Sequence, residues 1–234
     1  MRFVVIRFGF SKQNQKRAKL KHERYSKLSC IVSCQSYIEP LSFLPGHHLM
    51  TLFIASDLHG SLTATQLMLE RFEQSGSRYL ILLGDILNHG PRNAIPAGYD
   101  PAKLAETLNP YADRIIAVRG NCDSEVDQML LDFPITAPFQ QVILPQMRLF
   151  LTHGHLFNPE HMPKLLPDDG FIYGHTHIPV AEYKQGILHF NPGSTTIPRN
   201  GGSASYGLIS ETECQVRDLH TDAVMLSCEL RHRL

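Results

Sequence analysis

Residues 52–60 read LFIASDLHG. The apolar run Leu52–Ala55 predicts a short buried strand, and the polar residues after it open a helix. Asp57 and His59 follow this strand two residues apart, so a backbone turn at Gly60 lets both side chains point into one crevice. An Asp-x-His pair is a weak signal alone, because such pairs are common in surface loops. Its meaning depends on what else reaches the same edge of the fold.

The same order of strand, turn and helix recurs along the first half of the chain. Further apolar runs, Tyr79–Leu83 and Ile115–Val118, predict two more buried strands. Helices are predicted over 62–74, with Ser61 as cap and an apolar face of Ala64, Leu67, Leu69 and Phe72, from Pro101 to about Leu108, and after Asp123 to Leu131. Three such repeats are typical of a sheet with parallel strands.

The second half has a different pattern. Phe139–Leu144 and Arg148–Thr152 are separated by two residues or so, as are Glu182–Lys184 and Ile187–Phe190. These hairpin spacings predict an antiparallel second sheet. A short strand is expected at 170–174, and Tyr206–Ile209 and Gln215–Leu219 are expected to add edge strands.

Composition describes a globular chain with an unusual beginning. The 234 residues are 43% hydrophobic and 19% charged, enough for one domain of ~180 residues and an appendage. Residues 1–49 hold nine Lys or Arg and two acids, a net +7, so the remainder carries −7 in a neutral chain. An acidic domain in a chain with thirteen His suits a bound cation better than a nucleic-acid polymer.

Three interpretations fit residues 1–49, which show no sustained periodicity. They are a disordered basic tail, an organelle transit peptide that is rich in Arg and Ser, or a stretch upstream of a natural start at Met50. We favour the third and place the folded domain at 50–234. Five cysteines without a Cys-x-x-Cys pair suggest no disulfide framework, so we expect a cytoplasmic protein with no membrane span.

Metal-type side chains follow strand after strand. In open α/β sheets, ligands gather outside the carboxyl ends of the strands. We therefore expect these groups, most of which have a glycine beside them, to converge: Asp57, His59, Asp85, Asn121, His153, His155, His175 and His177. Carboxylate, imidazole and amide ligands without thiolate suit Mn, Fe, Co, Ni or Zn. They exceed the needs of one ion, which favours two ions ~3.5–4 Å apart that share a carboxylate.

These blocks resemble, in order, those of the calcineurin-like metallophosphoesterase family. The matching segments are Asp57-x-His59, Gly84-Asp85, Gly120–Asp123, His153-Gly154 and Gly174–His177, and residues 84–93 are similar to the small bacterial phosphodiesterases of the family. The resemblance covers residues 50–234. It implies an α/β fold, a four-layer α/β/β/α sandwich of two mixed sheets flanked by helices.

The resemblance also implies a binuclear centre and its ligands. Asp57, His59, Asp85 and His177 would hold one ion, and Asp85, Asn121, His153 and His175 the other, so that Asp85 bridges. The resemblance favours manganese as the native metal. A bridging water with lowered pKa would then attack phosphorus in line, while Asn121 donates to a phosphoryl oxygen. His155 falls outside this ligand set and is predicted to act beside it as a substrate contact.

Two positions depart from the family pattern. Cys122 stands where many relatives carry a histidine that protonates the leaving oxygen. A thiol of pKa ~8.5 is a weaker acid than an imidazole of pKa ~6.5, so we expect a preference for good leaving groups. His89 stands where protein phosphatases and symmetrical diadenosine tetraphosphatases carry a phosphate-binding arginine. Its presence argues against both activities, and makes His89 and Arg92 candidate substrate contacts.

The predicted function is hydrolysis of small phosphodiesters by a metal-dependent enzyme; self-association is left open. One alternative is a protein-interaction scaffold of the same fold, of the kind represented by a retromer subunit, which has lost part of the ligand set. Another is a hydrolase of lipid-linked nucleotides, which would carry an apolar cap over the site. The chain keeps a suitable side chain at every expected ligand position and has no such insertion, which favours the first interpretation.

Overall fold

A computed structural model of the protein describes residues 51–231. The extension predicted for residues 1–49 lies outside the described residues, so that domain boundary stays a prediction. The elements along the described chain are β1 (Leu52–Ala55), α1 (Leu62–Gln74), β2 (Tyr79–Leu82), α2 (Pro101–Leu108), a 3₁₀ helix (Asn109–Arg114), β3 (Ile115–Ala117), α3 (Glu125–Gln128), β4 (Phe139–Ile143), β5 (Arg148–Thr152), β6 (Gly170–Ile172), β7 (Val180–Lys184), β8 (Ile187–Asn191), β9 (Ser205–Ile209), β10 (Glu213–Asp218) and β11 (Val224–Glu229).

The strands form two mixed sheets, which confirms the predicted fold class. The first sheet has the order β11-β10-β9-β1-β2-β3, in which β1, β2 and β3 are parallel and the other neighbours are antiparallel. The second has the order β4-β5-β6-β8-β7. There β5, β6 and β8 are parallel, and the hairpins β4–β5 and β7–β8 form antiparallel edges.

The expectation of an antiparallel second sheet is therefore wrong. Both hairpins form as their short spacing predicts, but β6 lies between β5 and β8 and runs parallel to both. Such pairings depend on longer connections, which turn lengths do not report. The predicted edge strands are wrong too, because β9 lies between β1 and β10, and β10 lies between β9 and β11. The edge is β11, whose mostly exposed side chains lack a clear alternation of buried and exposed positions.

Helix α1 shows how local sequence and packing share control of an element. Ser61 Oγ accepts a hydrogen bond from Ala64 N at the start of the helix, as predicted for a cap. The buried face, however, consists of Thr65, Met68, Leu69 and Phe72. Ala64 and Leu67 are only partly buried beside it. Positions spaced by three and four residues share a face, so Thr65 is buried by geometry although it is polar.

Helix α3 is shorter than the helix predicted to reach Leu131. It begins with a reciprocal capping box between Ser124 and Asp127 and ends after Gln128. The Gln128 side chain then donates to the carbonyls of Leu131 (3.2 Å) and Phe133 (3.0 Å) and accepts from Ile135 N (2.7 Å). These bonds fold the following segment back on the helix end, so the ladder of helical hydrogen bonds stops.

Successive side chains of a strand point to opposite faces of its sheet, so the interior consists of separate layers. In β1, Phe53 and Ala55 pack under α1 and α2, whereas Leu52 and Ile54 face the second sheet. The core between the sheets is completed by leucine, isoleucine and phenylalanine side chains, among them Leu149, Leu151, Ile172, Leu188 and Phe190. The outer face of the second sheet is covered by Phe157, Met162 and Leu165 of the segment 155–169, which contains no helix.

Parallel strands place their carboxyl ends at common edges. β1, β2 and β3 end at one edge of the first sheet, and β5 and β6 end at one edge of the second. Loops from both edges meet: Thr195 N donates to Ser56 O (3.2 Å), and His175 N donates to Asp57 Oδ2 (3.0 Å). Among residues 51–231, the helices are too short and polar for any of them to cross a membrane.

Candidate metal centre

The seven predicted ligands come together where these loops meet. Asp57 and His59 follow β1, Asp85 follows β2 and Asn121 follows β3; His153 follows β5, and His175 and His177 follow β6. The carboxylates and most of the imidazoles are buried, whereas Asn121 is exposed and His175 partly so. The site is therefore a buried polar floor with two side chains at its mouth.

The backbone is strained at five of these seven residues. Asp57, His59, Asp85, His175 and His177 all have φ between 48° and 65°, in the left-handed region. This conformation costs ~1–2 kcal/mol for a residue with a Cβ. Hydrogen bonds between neighbouring loops hold it, as from His59 N to Asp85 O (2.9 Å) and from Asp57 N to Gly84 O (3.2 Å). Such strain collects at functional sites because it aims side chains that ordinary strands would turn aside.

A first donor group consists of Asp57, His59, Asp85 and His177. His177 Nε2 lies 3.2 Å from Asp57 Oδ1 and 3.3 Å from His59 Nε2. His59 Nε2 lies 3.7 Å from Asp57 Oδ1 and 3.8 Å from Asp85 Oδ2. Both histidines place Nδ1 against a carbonyl oxygen, of Asn88 at 2.9 Å and of Ile197 at 2.5 Å. In the neutral imidazole this leaves the Nε2 lone pairs turned inward.

A second donor group consists of Asp85, Asn121, His153 and His175. His153 Nε2 lies 3.4 Å from Asp85 Oδ2, 3.0 Å from Asn121 Oδ1 and 3.2 Å from His175 Nδ1. His153 Nδ1 is held by the carbonyl of Leu83 at 2.8 Å. Asp85 Oδ2 therefore faces both groups, while its Oδ1 accepts from Cys122 N at 2.8 Å. One carboxylate oxygen is shared, and the other is fixed by the backbone.

The charges of the two groups are tightly linked. Although burial acts in the opposite direction, the Asp85 carboxylate raises the pKa of His153 to about 9. Burial likewise opposes the shift at Asp57, where the neighbouring His177 lowers the pKa of the carboxyl. Each carboxylate therefore favours positive charge on the imidazole beside it. A divalent cation held there would compete with protons for these side chains, so its affinity would fall as the pH falls.

One atom tests whether the site suits a cation. Asp57 Oδ1 is buried and has no hydrogen-bond partner among the described residues, because its neighbour His177 Nε2, at 3.2 Å, carries a lone pair in the neutral imidazole. The other oxygen, Oδ2, is satisfied by Ser56 Oγ (2.6 Å) and His175 N (3.0 Å). A buried carboxylate oxygen without a donor is costly, and two Nε2 atoms at 3.3 Å cannot satisfy each other if both carry lone pairs. A divalent cation held by Asp57, His59 and His177 would remove both problems, so the residues fit a metal.

Comparison with known proteins identifies the family. A model of the calcineurin-like phosphoesterase superfamily domain matches residues 50–213, most of the chain. The chain belongs to the calcineurin-like phosphoesterase superfamily. This agrees with the order of motifs in the sequence and with the two mixed sheets of the fold.

Two relatives place the chain within this superfamily, and a more distant solved structure shares its fold. The phosphodiesterase YfcE of Escherichia coli is 60% identical over 177 residues, 76% of this chain and 96% of YfcE. A solved structure of E. coli YfcE matches with a TM-score of 0.77 at 58% identity, covering 78% of this chain and all of YfcE. The phosphodiesterase MJ0936 of Methanocaldococcus jannaschii is 31% identical over 151 residues, 62% of this chain and 83% of MJ0936. Vacuolar protein sorting 29 of Cryptosporidium parvum, at 18% identity and TM-score 0.56 over 79% of this chain and 99% of its own, shares the fold.

The residues that support the centre of this phosphoesterase include one that sequence analysis quoted but gave no role. Asp123 accepts hydrogen bonds from the backbone amides of Asp85 (2.9 Å), Ile86 (2.8 Å) and Gly120 (2.7 Å). Burial raises the pKa of Asp123 to about 6, against the effect of these donors. Asp123 ties the loop after β3 to the loop after β2. The sequence could have indicated this role, because Asp123 lies three residues after Gly120, whose amide it binds.

The loop after β8 was missed altogether. Ser194 Oγ donates to Asp57 O (2.8 Å) and accepts from the amides of Thr196 and Ile197. Asn191 Nδ2 donates to the carbonyl of Gly174 (2.9 Å). Both residues hold the strained turns that carry ligands. They lie at the carboxyl end of a parallel strand, a location that could have marked them.

The predicted substrate contacts lie in different places. A cleft opens over the centre, lined by Asp85, Gly90, Pro91, Arg92, Asn93, Asn121, Cys122, His175, His177 and Arg199. Arg92 therefore lines the cleft, whereas His89 does not: its ring packs edge-on against Tyr99, with Nδ1 3.4 Å from the phenol oxygen. Arg199, which sequence analysis did not select, lies on the cleft wall.

Cys122 and His155 flank Asn121. The Cys122 thiol accepts from Asn121 Nδ2 (3.2 Å), and burial, helped by the Asp85 carboxylate, raises its pKa to about 12. His155 faces a neighbouring depression with Arg119, Thr136 and Leu156. Its Nδ1 is buried without a partner among the described residues, and burial lowers the pKa of the imidazole to about 4. His155 lies beside the second donor group, with its ring centroid 5.3 Å from that of His153.

Proposed function

We propose that this protein is a metal-dependent phosphodiesterase that hydrolyses small phosphodiesters at a binuclear centre. The observation that carries the proposal is the position of Asp85 Oδ2, which faces donors of both groups, 3.8 Å from His59 Nε2 and 3.4 Å from His153 Nε2. Two separate sets of donors with one carboxylate oxygen in common suit two ions rather than one. The name of the 60% identical relative, phosphodiesterase YfcE, supports the same reaction.

Two divalent ions held there would supply a water of lowered pKa and a positive field for the phosphoryl oxygens. The first donor group would hold one ion and the second the other. The mixture of carboxylate, imidazole and amide donors suits manganese, and also iron, cobalt, nickel or zinc. We favour manganese.

The chain's own residues bind and orient the diester. Asn121 carries its carbonyl oxygen toward His153 and its amide nitrogen toward the cleft wall, so Nδ2 is available to a phosphoryl oxygen. His155 lines the depression next to Asn121 and would contact a substituent of the ester that lies in it. No serine, threonine or cysteine has to act as a nucleophile, because water is the attacking group.

The complete donor set favours an enzyme over a scaffold. A scaffold that no longer hydrolyses esters has no need to keep strained left-handed residues at the centre. The described chain keeps five of them, together with a suitable donor at all seven positions. Both features favour the enzyme.

The test is a panel of esters with and without metal. Aryl and nucleotide mono- and diesters are offered to metal-stripped protein and to protein supplied with manganese, and product release is followed. We expect diester turnover with manganese and at least a ~10³-fold lower rate without metal, because metals supply several kcal/mol of transition-state stabilisation. Metal-independent turnover, or hydrolysis confined to monoesters, would contradict the proposal.

A second prediction concerns the leaving group. The Cys122→His variant places an imidazole where the thiol lines the cleft, and general acid catalysis is typically worth ~10²–10⁴ in rate. We expect kcat for alkyl or nucleoside leaving groups to rise at least ~10-fold more than kcat for 4-nitrophenol, which leaves without help. Cys122→Ala serves as control, since it removes the thiol without adding an acid. Equal changes on both classes of leaving group would refute a general-acid role for this position.

A further inference from the structure

The cleft over the donor groups has basic side chains in its lining. Arg92 and Arg199 lie on it, contributed by the loop after β2 and the loop after β8. Among the described residues that line the cleft, the single carboxylate is Asp85, which belongs to the donor groups. The cleft therefore has two exposed arginines in its lining besides the predicted metal ligands.

Arg199 is exposed, and hydrogen bonds from its backbone and from one side-chain nitrogen orient it. Its backbone amide donates to His177 O (3.3 Å), so its position depends on a predicted ligand. Its Nη2 donates to Asn93 Oδ1 (3.3 Å). Asn93 is in turn fixed by its Nδ2, which donates to His89 O (2.9 Å), and by its backbone amide, which donates to Gly90 O (3.2 Å). The guanidinium is anchored at one nitrogen and keeps its other donors for a ligand.

Neither cleft arginine has a carboxylate partner, a property that they share with Arg71, Arg78 and Arg231 among the described arginines. Arg114, Arg119, Arg148 and Arg217 each make an ion pair with an aspartate or glutamate at 2.6–3.1 Å. Within residues 51–231, neither Arg92 nor Arg199 has a carboxylate within ion-pair distance. Their charges are left for an anion that enters the cleft.

The scissile phosphate does not account for this charge. A phosphodiester carries one negative charge, which two divalent ions and the amide of Asn121 already attract. A planar guanidinium is suited to bidentate contact with a phosphate. We propose, on the basis of the proposed function, that Arg199 and Arg92 bind a second phosphate on one ester arm of the substrate. Asn93 is the residue that positions Arg199. The substrate class is then phosphodiesters that carry a further phosphate group.

The experiment compares two diesters that differ only in that second phosphate. They are thymidine 3′-(4-nitrophenyl phosphate) with a free 5′-hydroxyl and the same ester with a 5′-phosphate, offered to the full chain loaded with manganese. We expect kcat/KM to be higher for the 5′-phosphorylated ester. In the Arg199→Met variant this preference should shrink by ~10–100-fold, the usual worth of a hydrogen bond to a charged group.

Further variants separate binding from positioning. Arg199→Lys, which keeps the charge but loses the fork, should retain part of the preference. Asn93→Ala should raise KM for the 5′-phosphorylated ester with little change in kcat. It removes the hydrogen bond that orients Arg199 but leaves the predicted metal ligands in place. The matched control is Arg78→Met: Arg78 is exposed, stacks on Tyr79 at 5.3 Å and lies at the opposite end of β2, so both esters should be unaffected.

Each outcome decides a different point. If Arg199→Met lowers kcat/KM equally for both esters, Arg199 contacts the scissile phosphate and the inference is overturned. If it lowers neither, the arginine is only solvated, and the inference is overturned as well. Wild-type turnover of bis(4-nitrophenyl) phosphate without preference for the 5′-phosphorylated ester also overturns it, yet leaves the phosphodiesterase proposal standing. If no diester is turned over, calorimetric binding of thymidine 3′,5′-bisphosphate against thymidine 3′-phosphate still tests Arg199, since only the inference predicts a preference lost in Arg199→Met.

Discussion

Replacing Asp85 with asparagine is expected to lower kcat/KM for a phosphodiester by at least ~10³-fold, equivalent to ~4 kcal/mol of transition-state stabilisation. Asp85 Oδ2 is the one oxygen that faces both donor groups, at 3.8 Å from His59 Nε2 and 3.4 Å from His153 Nε2. An amide group in its place is neutral and presents either a weaker oxygen donor or hydrogens to the cations. Metal content per chain should fall, and elemental analysis after dialysis against manganese measures it.

The control for this variant changes the same type of side chain at a remote position. Asp100→Asn alters the cap of α2, where Oδ1 accepts from Lys103 N at 3.0 Å, and asparagine caps equally well. It should leave both metal content and turnover unchanged. Circular dichroism establishes that both variants are folded. An Asp85→Asn protein that keeps its metal and turns over diesters at the wild-type rate would exclude a shared carboxylate.

The Gly120→Ala variant is expected to lose both stability and metal. A Cβ built on Gly120 would lie 2.1 Å from Asp85 Oδ1 and 2.2 Å from Asp85 N. The second of these atoms is backbone and cannot move aside without breaking the hydrogen bonds from Asp85 N and Gly120 N to Asp123. Overpacking of this kind costs ~1–3 kcal/mol in the free energy of unfolding. A displacement of Asp85 by ~1 Å should also cost ~10²-fold in turnover.

Urea denaturation and diester kinetics measure the two effects. Gly76→Ala is the matched control, because Gly76 follows α1 with φ +66°, and a Cβ there would meet nothing within 4 Å. It should cost only ~1–2 kcal/mol for the left-handed backbone and leave turnover unchanged. If Gly120→Ala lost stability but kept metal affinity and activity, the close approach of the two loops would be a packing feature alone.

Local sequence patterns were sufficient to predict α1, α2 and the first three strands. The bounds of α1 and α2 and the positions of β1, β2 and β3 follow from apolar runs, the caps Ser61 and Asp100, and Pro101 at the first turn of α2. These signals act within a few residues, so the chain states them directly. Helix α3 was overestimated because its end is set by the Gln128 side chain, which bonds to residues three and more positions away.

The candidate site divides in the same way. Eight candidate donors, His155 among them, and their places after strands could be read from the chain, since a parallel sheet brings strand ends to one edge. The family resemblance reduced them to seven. The residues alone called for a shared carboxylate, but the choice of Asp85 for that role came from the family resemblance. The roles of Asp123, Ser194 and Arg199 required the structure, because most of their partners lie far away in sequence, as Asp57 O does from Ser194 Oγ.

The stretch Leu52–Gly60 shows where the boundary lies. Its sequence determined a buried strand, a turn at Gly60 and two metal-type side chains at the strand's carboxyl end, because these follow from the polarity and backbone preferences of neighbouring residues. Only the tertiary structure decided that Asp57 and His59 take left-handed conformations, that Asp57 Oδ1 is left without a hydrogen-bond donor among the described residues, and that His177 completes the group. The physical reason is that strain and burial are sustained by loops from distant strands.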